Sequence, residues 1–276
     1  MEKLAITGST GGIGFEVVKK LVFKYDLILI NRNIQKANKE KDDLLKINPN
    51  ANITLLTCDM ENIFSVKELT NELIKLEIDY LIINAGILTK EKHTTNFNYD
   101  NVFTTNFLSP YYIINRLKEN DLPKKRVIAV GSVSQKWAKL DKDNIDYSNY
   151  KSKNKRYANS KRFLMSSLME LYKDSDKLSI AHPGITLTNM TKNYNKFIKI
   201  FIIIFMSILF QGKKKASRSI VKAIDTNTNY LEWIGPHILG IYGKPKVCKI
   251  KHLKADEIKD IYEIAKNLYK EVKALD

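Results

Sequence analysis

The feature that most constrains this chain is an alternation repeated along most of its length. Short apolar, mostly β-branched runs, Lys3–Ile6, Leu27–Ile30, Ile53–Thr57, Tyr80–Ile83, Val127–Val130 and Leu178–Ala181, are separated by amphipathic stretches, Ile13–Lys24, Ile34–Ile47, Ile63–Leu76, Tyr99–Glu119 and Asn159–Lys173. Short apolar runs bounded by turn residues suit parallel strands buried on both faces. Strands alternating with helices imply βαβ units, and right-handed crossovers put helices on both faces of one sheet. The expected fold class is α/β, a doubly wound parallel sheet. With 276 residues, 44% hydrophobic, and only six prolines and eleven glycines, the chain reads as a single domain, 1–276, with no Pro-rich or Gly-rich linker.

Ligands of such sheets bind beyond the carboxyl ends of the strands, so the informative residues lie just after each one. After the first strand comes TGSTGGIG, residues 7–14. Glycines there allow a tight turn and let backbone approach a pyrophosphate seated on the following helix N-terminus. The stretch fits two registers, Gly8–Gly12–Gly14 and Gly8–Gly11–Gly14, with Ser9, Thr10 and Ile13 in the same cofactor-binding turn. After the second strand stands INRN. A free ribose 2'-hydroxyl is met by an acidic residue about 20 positions beyond the glycines. Here Asn31 and Arg32 occupy that place. A planar guanidinium suits a 2'-phosphate, so NADP(H) is the expected cofactor, with NAD(H) the alternative. Asp59, after the third strand, can accept from an adenine amino group. Asn84, Ala85 and Gly86, after the fourth, let backbone lie against a ribose. Ser132 follows the fifth strand. Downstream, Tyr157 and Lys161 of YANSK stand four apart on a predicted helix, hence on one face. An ammonium beside a phenol lowers the phenol pKa from its ordinary value near 10. A serine hydroxyl can hold a carbonyl oxygen. Together they make a proton donor fit to work beside a hydride donor.

In order along the chain, TGSTGGIG, NAG at 84–86, Asn106 in TTNFLSPYYI, Ser132 in VIAVGSVS, YANSK at 157–161 and HPGITLT at 182–188 resemble the short-chain dehydrogenase/reductase family, from residue 1 to about 190. The resemblance implies a Rossmann fold and a catalytic tetrad of Asn106, Ser132, Tyr157 and Lys161. In the family the Tyr is the general acid/base. The Lys holds the nicotinamide ribose and lowers the Tyr pKa, and the Asn supports a water-linked proton relay. Pro183, Gly184 and Thr188 are similar to the family segment at the nicotinamide end. The family pattern favours the Gly8–Gly12–Gly14 register and leaves Gly11 as a permissive extra glycine. One departure is the gap of 25 residues between Ser132 and Tyr157, longer than in many members. A second Tyr-x-x-x-Lys, Tyr147 and Lys151, lies nearer the customary spacing. YANSK is preferred because Ser160 precedes its lysine and an amphipathic helix follows, whereas YSNYKSKNK reads as a loop. The long gap and Arg32 resemble the retinol-dehydrogenase-like members.

Residues 200–210, IFIIIFMSILF, are apolar, with Lys196 and Lys199 before them and Lys213–Lys215 after. So short a run does not span ~30 Å of hydrocarbon. Segment 189–225 is expected to form a substrate-covering lobe. Within it, 197–210 reads as a wall over a hydrophobic substrate, as a peripheral membrane contact, or as a core or homo-oligomer contact. YLEWIGPHILG is expected to supply a last strand and Asp256–Ala274 a surface helix. The net charge of +16 would draw nucleic acid or anionic lipid. However, only six of the 46 basic residues are arginines and the lysines are dispersed, so no nucleic-acid partner is expected. Four scattered histidines and two cysteines, Cys58 and Cys248, imply no metal site and a reduced, cytoplasmic setting. Leu4–Ile6 is too short for a signal peptide.

The expected function is NADP(H)-dependent hydride transfer to or from a carbonyl or alcohol, on a hydrophobic small-molecule substrate. One rival is a non-catalytic NADP(H)-binding regulator or membrane-docked redox sensor, which usually lacks the tyrosine. A nucleotide-sugar epimerase or dehydratase would want a larger C-terminal domain.

Overall fold

The computed structural model describes residues 1–184, 212–238 and 240–275. The parallel strands are β1 (Lys3–Thr7), β2 (Asp26–Asn31), β3 (Ile53–Thr57), β4 (Tyr80–Ile83), β5 (Arg126–Val130), β6 (Leu178–Ala181) and β7 (Glu232–Ile238). An antiparallel strand, β8 (Tyr242–Lys249), closes one edge, and the order is β3-β2-β1-β4-β5-β6-β7-β8. The doubly wound α/β expectation is met. The strand order reverses direction between β1 and β4, which opens a crevice at their carboxyl ends. YLEWIGPHILG supplies β7, but it is not the last strand. β8 carries three lysines in an alternating, half-exposed pattern that hides its strand character.

Helix starts follow local chemistry. Asn33 caps α2 (Ile34–Ile47) by accepting from the Lys36 N–H at 2.8 Å. Asn62 caps α3 (Ile63–Lys75), accepting from Phe64 and Ser65. These side chains satisfy donors that have no partner within the helix. α1 (Gly12–Leu21) has no such cap and opens directly from the glycine turn. α4 (Asn101–Phe103) runs through a π-turn at Thr104–Leu108 into α5 (Ser109–Lys118).

The core has two layers, one on each face of the sheet. On one face α1, α2 and α7 (Lys213–Ile224) pack through Val17, Val18, Leu44, Ile220 and Ile224. On the other, α3, α5, α6 (Lys153–Leu171) and α8 (Ala255–Lys273) pack through Leu69, Tyr111, Phe163, Leu168 and Ile261. α6 is covered on nearly every side, which buries Arg156, Asn159, Ser160, Lys161 and Arg162. Each of these polar side chains therefore needs a protein partner.

Of the expected lobe 189–225, the described part begins at Gly212 and forms α7, which belongs to the core beside α1. Thr188 and the apolar run 197–210 lie outside the described residues. Among the described residues, no helix is long and apolar enough to cross a membrane.

Candidate active site

The turn after β1 is held from below by the turn after β4. Thr7 Oγ1 accepts from the N–H groups of Asn84 and Ala85 at 3.1 and 3.0 Å. Asn84 Nδ2 donates to the carbonyls of Thr7 and Gly8 at 3.0 and 2.9 Å. Gly8 has a φ of +68°, and a Cβ on it would come within 2.9 Å of the Ala85 Cα. A Cβ at Gly14 would meet the Gly8 carbonyl at 2.5 Å. Both positions are closed to a side chain by backbone. Gly11 would meet nothing closer than 3.4 Å, in keeping with its reading as permissive. Gly12 faces the flexible end of the Lys213 side chain, so its requirement is softer.

A cleft of about 510 Å³ lies beyond these turns. It is lined by Gly8, Thr10, Gly12, Ile13, Gly14, Arg32, Asp59, Asn84, Ala85 and Gly86 among the expected residues. Lys36, Ile87 and Thr105 line it as well and were not anticipated. Lys36 sits in the first turn of α2, so its charge stands beside Arg32, a proximity the helix cap at Asn33 dictates. Thr105 is 6% exposed, and among the described residues its hydroxyl has no hydrogen-bond partner. Backbone closed to side chains, an orphan hydroxyl and two exposed cations at one end form a donor set that fits a nicotinamide dinucleotide.

Ser9 departs from its expected place. Its side chain is fully buried beneath the loop, where Oγ donates to Glu40 Oε2 at 2.7 Å. Asn31 is also turned inward, accepting from the Thr10 N–H and hydroxyl at 3.1 and 3.2 Å. Asp59 faces the cleft but spends one carboxylate oxygen on the Glu61 N–H at 3.0 Å.

Asn106 sits in the π-turn, a local break in helical pairing often found at functional positions. Its amide accepts from the Ile87 N–H at 2.7 Å and donates to the Ile87 carbonyl and to Ser160 Oγ, both at 3.0 Å. It therefore braces the loop after β4 against α6. Ser132 ends the loop after β5 and caps a 3-10 turn at Val133–Trp137, accepting from the Ser134 N–H and hydroxyl at 3.2 and 2.9 Å. Tyr157 and Lys161 rise from one face of α6, with the ammonium 5.9 Å from the Tyr157 ring centre. Lys161 Nζ donates to the carbonyl of Val130 at 2.8 Å. A Cβ placed on Gly86 would be 3.1 Å from Asn106 Oδ1 and 3.7 Å from Lys161 Nζ, so these two groups meet beside NAG.

The electrostatics differ from expectation. Burial raises the Tyr157 pKa above its ordinary value, and a hydrogen bond with Ser132 counters this only in part. Burial lowers Lys161 to about 8. The expected lowering of Tyr157 by the ammonium does not emerge: desolvation dominates and disfavours the charged form of both groups.

The rival Tyr147 has a structural task. It is 5% exposed, stacks on Tyr150 with ring centres 4.4 Å apart, and binds the backbone of Lys139 through its hydroxyl. Lys151 is exposed and precedes α6. Residues 140–150 are clamped to α6, with Asn159 Nδ2 donating to the Ile145 carbonyl at 2.8 Å. Pro183 and Gly184 are buried, and a Cβ on Gly184 would come within 2.9 Å of the Ile241 carbonyl. They fix the chain against the β7–β8 turn and are not among the residues lining the cleft.

A sequence model of the short chain dehydrogenases matches residues 2–199. The chain belongs to the short chain dehydrogenase family. The chain is 26% identical over 208 residues to the short-chain dehydrogenase TIC 32 A, chloroplastic, of Brassica napus, covering 68% of this chain and 65% of that protein. It is 25% identical over 250 residues to the polyprenol dehydrogenase of Homo sapiens, covering 85% and 75%. A crystal structure of an uncharacterized protein from Mycobacterium Paratuberculosis superposes with a TM-score of 0.76 at 20% identity, covering 98% of this chain and 94% of that one.

Proposed function

We propose that this short chain dehydrogenase reduces a carbonyl, or oxidises the matching alcohol, using NADP(H). The reading is carried by one observation: Tyr157 and Lys161 share a face of α6 beside Ser132 and Asn106, and Lys161 and Asn106 stand next to Gly86, which lines the cleft. The dinucleotide supplies or accepts a hydride when bound. The chain's own groups do the rest. Ser132 Oγ holds the substrate oxygen by donating to it. Tyr157 Oη gives a proton to that oxygen in reduction and takes it back in oxidation. Asn106 and Ser160 fix the approach of α6 to the loop after β4. Lys161 sets the polarity around the phenol. With Tyr157 raised by burial, the phenol keeps its proton at neutral pH, the state a reduction needs.

NADP(H) is preferred over NAD(H) because Arg32 and Lys36 line one end of the cleft while Asn31, at the place of the ribose-binding acid, is buried and committed to Thr10. A hydrophobic substrate is supported by the apolar run 200–210 and by the name of the human relative, a polyprenol dehydrogenase. The test is NADPH oxidation over ketones and aldehydes graded by chain length. Turnover that rises with chain length supports the reading, and no oxidation with any of them overturns it. A non-catalytic regulator would bind NADPH and turn nothing over.

A further inference from the structure

Beneath the glycine loop lies a buried carboxyl group that the mechanism above does not use. Glu40, on α2, is 5% exposed. Its Oε2 accepts from Ser9 Oγ at 2.7 Å, and Asn31 Nδ2 reaches the same oxygen at 3.5 Å. Asn31 Nδ2 also donates to Ser9 Oγ at 2.7 Å, while Asn31 Oδ1 accepts from the N–H and hydroxyl of Thr10. Among the described residues, Oε1 of Glu40 is buried with no partner. A chain of side-chain contacts thus runs from α2, past the end of β2, to two consecutive residues of the loop. Ser9 faces away from the cleft and Thr10 faces into it.

A carboxyl group with one bare buried oxygen is a costly way to fill this space, because desolvation penalises its charged form. An apolar side chain would fill it without that cost. What the carboxyl adds is direction. Ser9 has one proton and gives it to Glu40, which leaves its lone pairs for Asn31. Asn31 is thereby oriented with its carbonyl oxygen toward Thr10.

We propose that Glu40 is a positioning residue of the cofactor seat: its carboxyl orders Ser9 and Asn31, which fix the glycine loop, and its charge sets how strongly that loop holds an anion. The proposal rests on the reading of the loop as the seat of a dinucleotide pyrophosphate. A carboxylate behind the loop opposes a pyrophosphate in front of it, and a neutral carboxyl does not. Burial raises Glu40 to about 7, and the hydrogen bonds from Ser9 and Asn31 pull it back only in part. On α2 itself, Lys36 stands one turn earlier, exposed at the cleft, and Asp43 later pairs with Lys46 at 3.0 Å. Anion binding therefore favours the protonated carboxyl, and by linkage protonation strengthens anion binding.

The experiment is a fluorescence titration of NADPH binding, without substrate, from pH 6 to 8.5. It compares the wild-type chain, Glu40→Gln and Ser9→Ala, each checked for folding by thermal melting. The ligand's own 2'-phosphate titrates near the bottom of this range, so the readout is the difference between profiles, repeated with NADH, which lacks that phosphate. The wild-type Kd is expected to rise across the range by about fivefold more than that of Glu40→Gln. Ser9→Ala keeps the carboxyl but breaks its link, so it binds more weakly at every pH. Parallel wild-type and Glu40→Gln profiles overturn the proposal, as does a Ser9→Ala chain with wild-type affinity and profile. A wild-type chain that binds neither dinucleotide overturns the reading of the seat itself.

Discussion

The Arg156 guanidinium and the Asp100 carboxylate form an ion pair with 1% and 0% of their side chains exposed, one residue before Tyr157. Asp100 also caps the helical run that carries Asn106, accepting from the Val102 and Phe103 N–H groups at 3.0 and 3.3 Å. Arg156 donates further to the carbonyls of Thr89 and Glu91, both at 3.0 Å. One buried cation therefore joins α6, the loop after β4 and the Asn106 helix. Removing it leaves Asp100 buried and uncompensated. Arg156→Met is expected to lose about 3–5 kcal/mol of stability in denaturant unfolding, and adding Asp100→Asn should restore part of it. A loss within experimental error of zero would mean that the pair does not organise the site.

His182 makes acid stability a second test. It is 1% exposed, stacks on Trp233 with centres 4.7 Å apart, and lies 2.8 Å from the Gly240 carbonyl through Nε2. Burial lowers its pKa to about 4. The unfolded chain takes up a proton near pH 6.5 that the folded chain refuses until about 4. Stability therefore falls as pH drops from 6.5 toward 4, by about 2 kcal/mol between pH 7 and 5 from this group alone. His182→Gln should show a smaller fall over the same interval in urea unfolding. Equal falls in both chains would show that His182 is not the group responsible.

Cofactor choice is the third. Arg32→Asp should weaken NADPH binding relative to NADH by about ten- to a hundredfold, the worth of one or two charge-assisted hydrogen bonds. Lys36→Ala should cost about threefold, as expected of a flexible point charge. If the NADPH/NADH ratio does not move in Arg32→Asp, Arg32 does not meet the 2'-phosphate.

Much of this was legible in the sequence for a physical reason. Parallel strands buried on both faces must be continuous apolar runs, and a turn that seats a phosphate against backbone needs glycine, so β1 to β6 and the glycine turn after β1 announce themselves. β8 was missed because a half-exposed edge strand rich in lysine lacks that signal. The inward turn of the Ser9 side chain, away from the cleft, was not legible because sequence shows spacing and not side-chain direction. The task of Glu40 was invisible for the same reason, since its partners lie 31 and 9 residues away. Tyr147 matched the motif spacing but not its environment, which appears only when residues 140–150 fold onto α6.

The central claim is that Tyr157 passes the proton, and the direct measurement is the NADPH-oxidation rate of Tyr157→Phe and Tyr147→Phe beside the wild-type chain, on a carbonyl that the wild type reduces. Tyr157→Phe should retain wild-type NADPH affinity and lose about 10²- to 10⁴-fold in turnover. Tyr147→Phe should lose stability through its Lys139 contacts while its folded fraction turns over normally. Surviving turnover in Tyr157→Phe, with loss in Tyr147→Phe, would contradict the account.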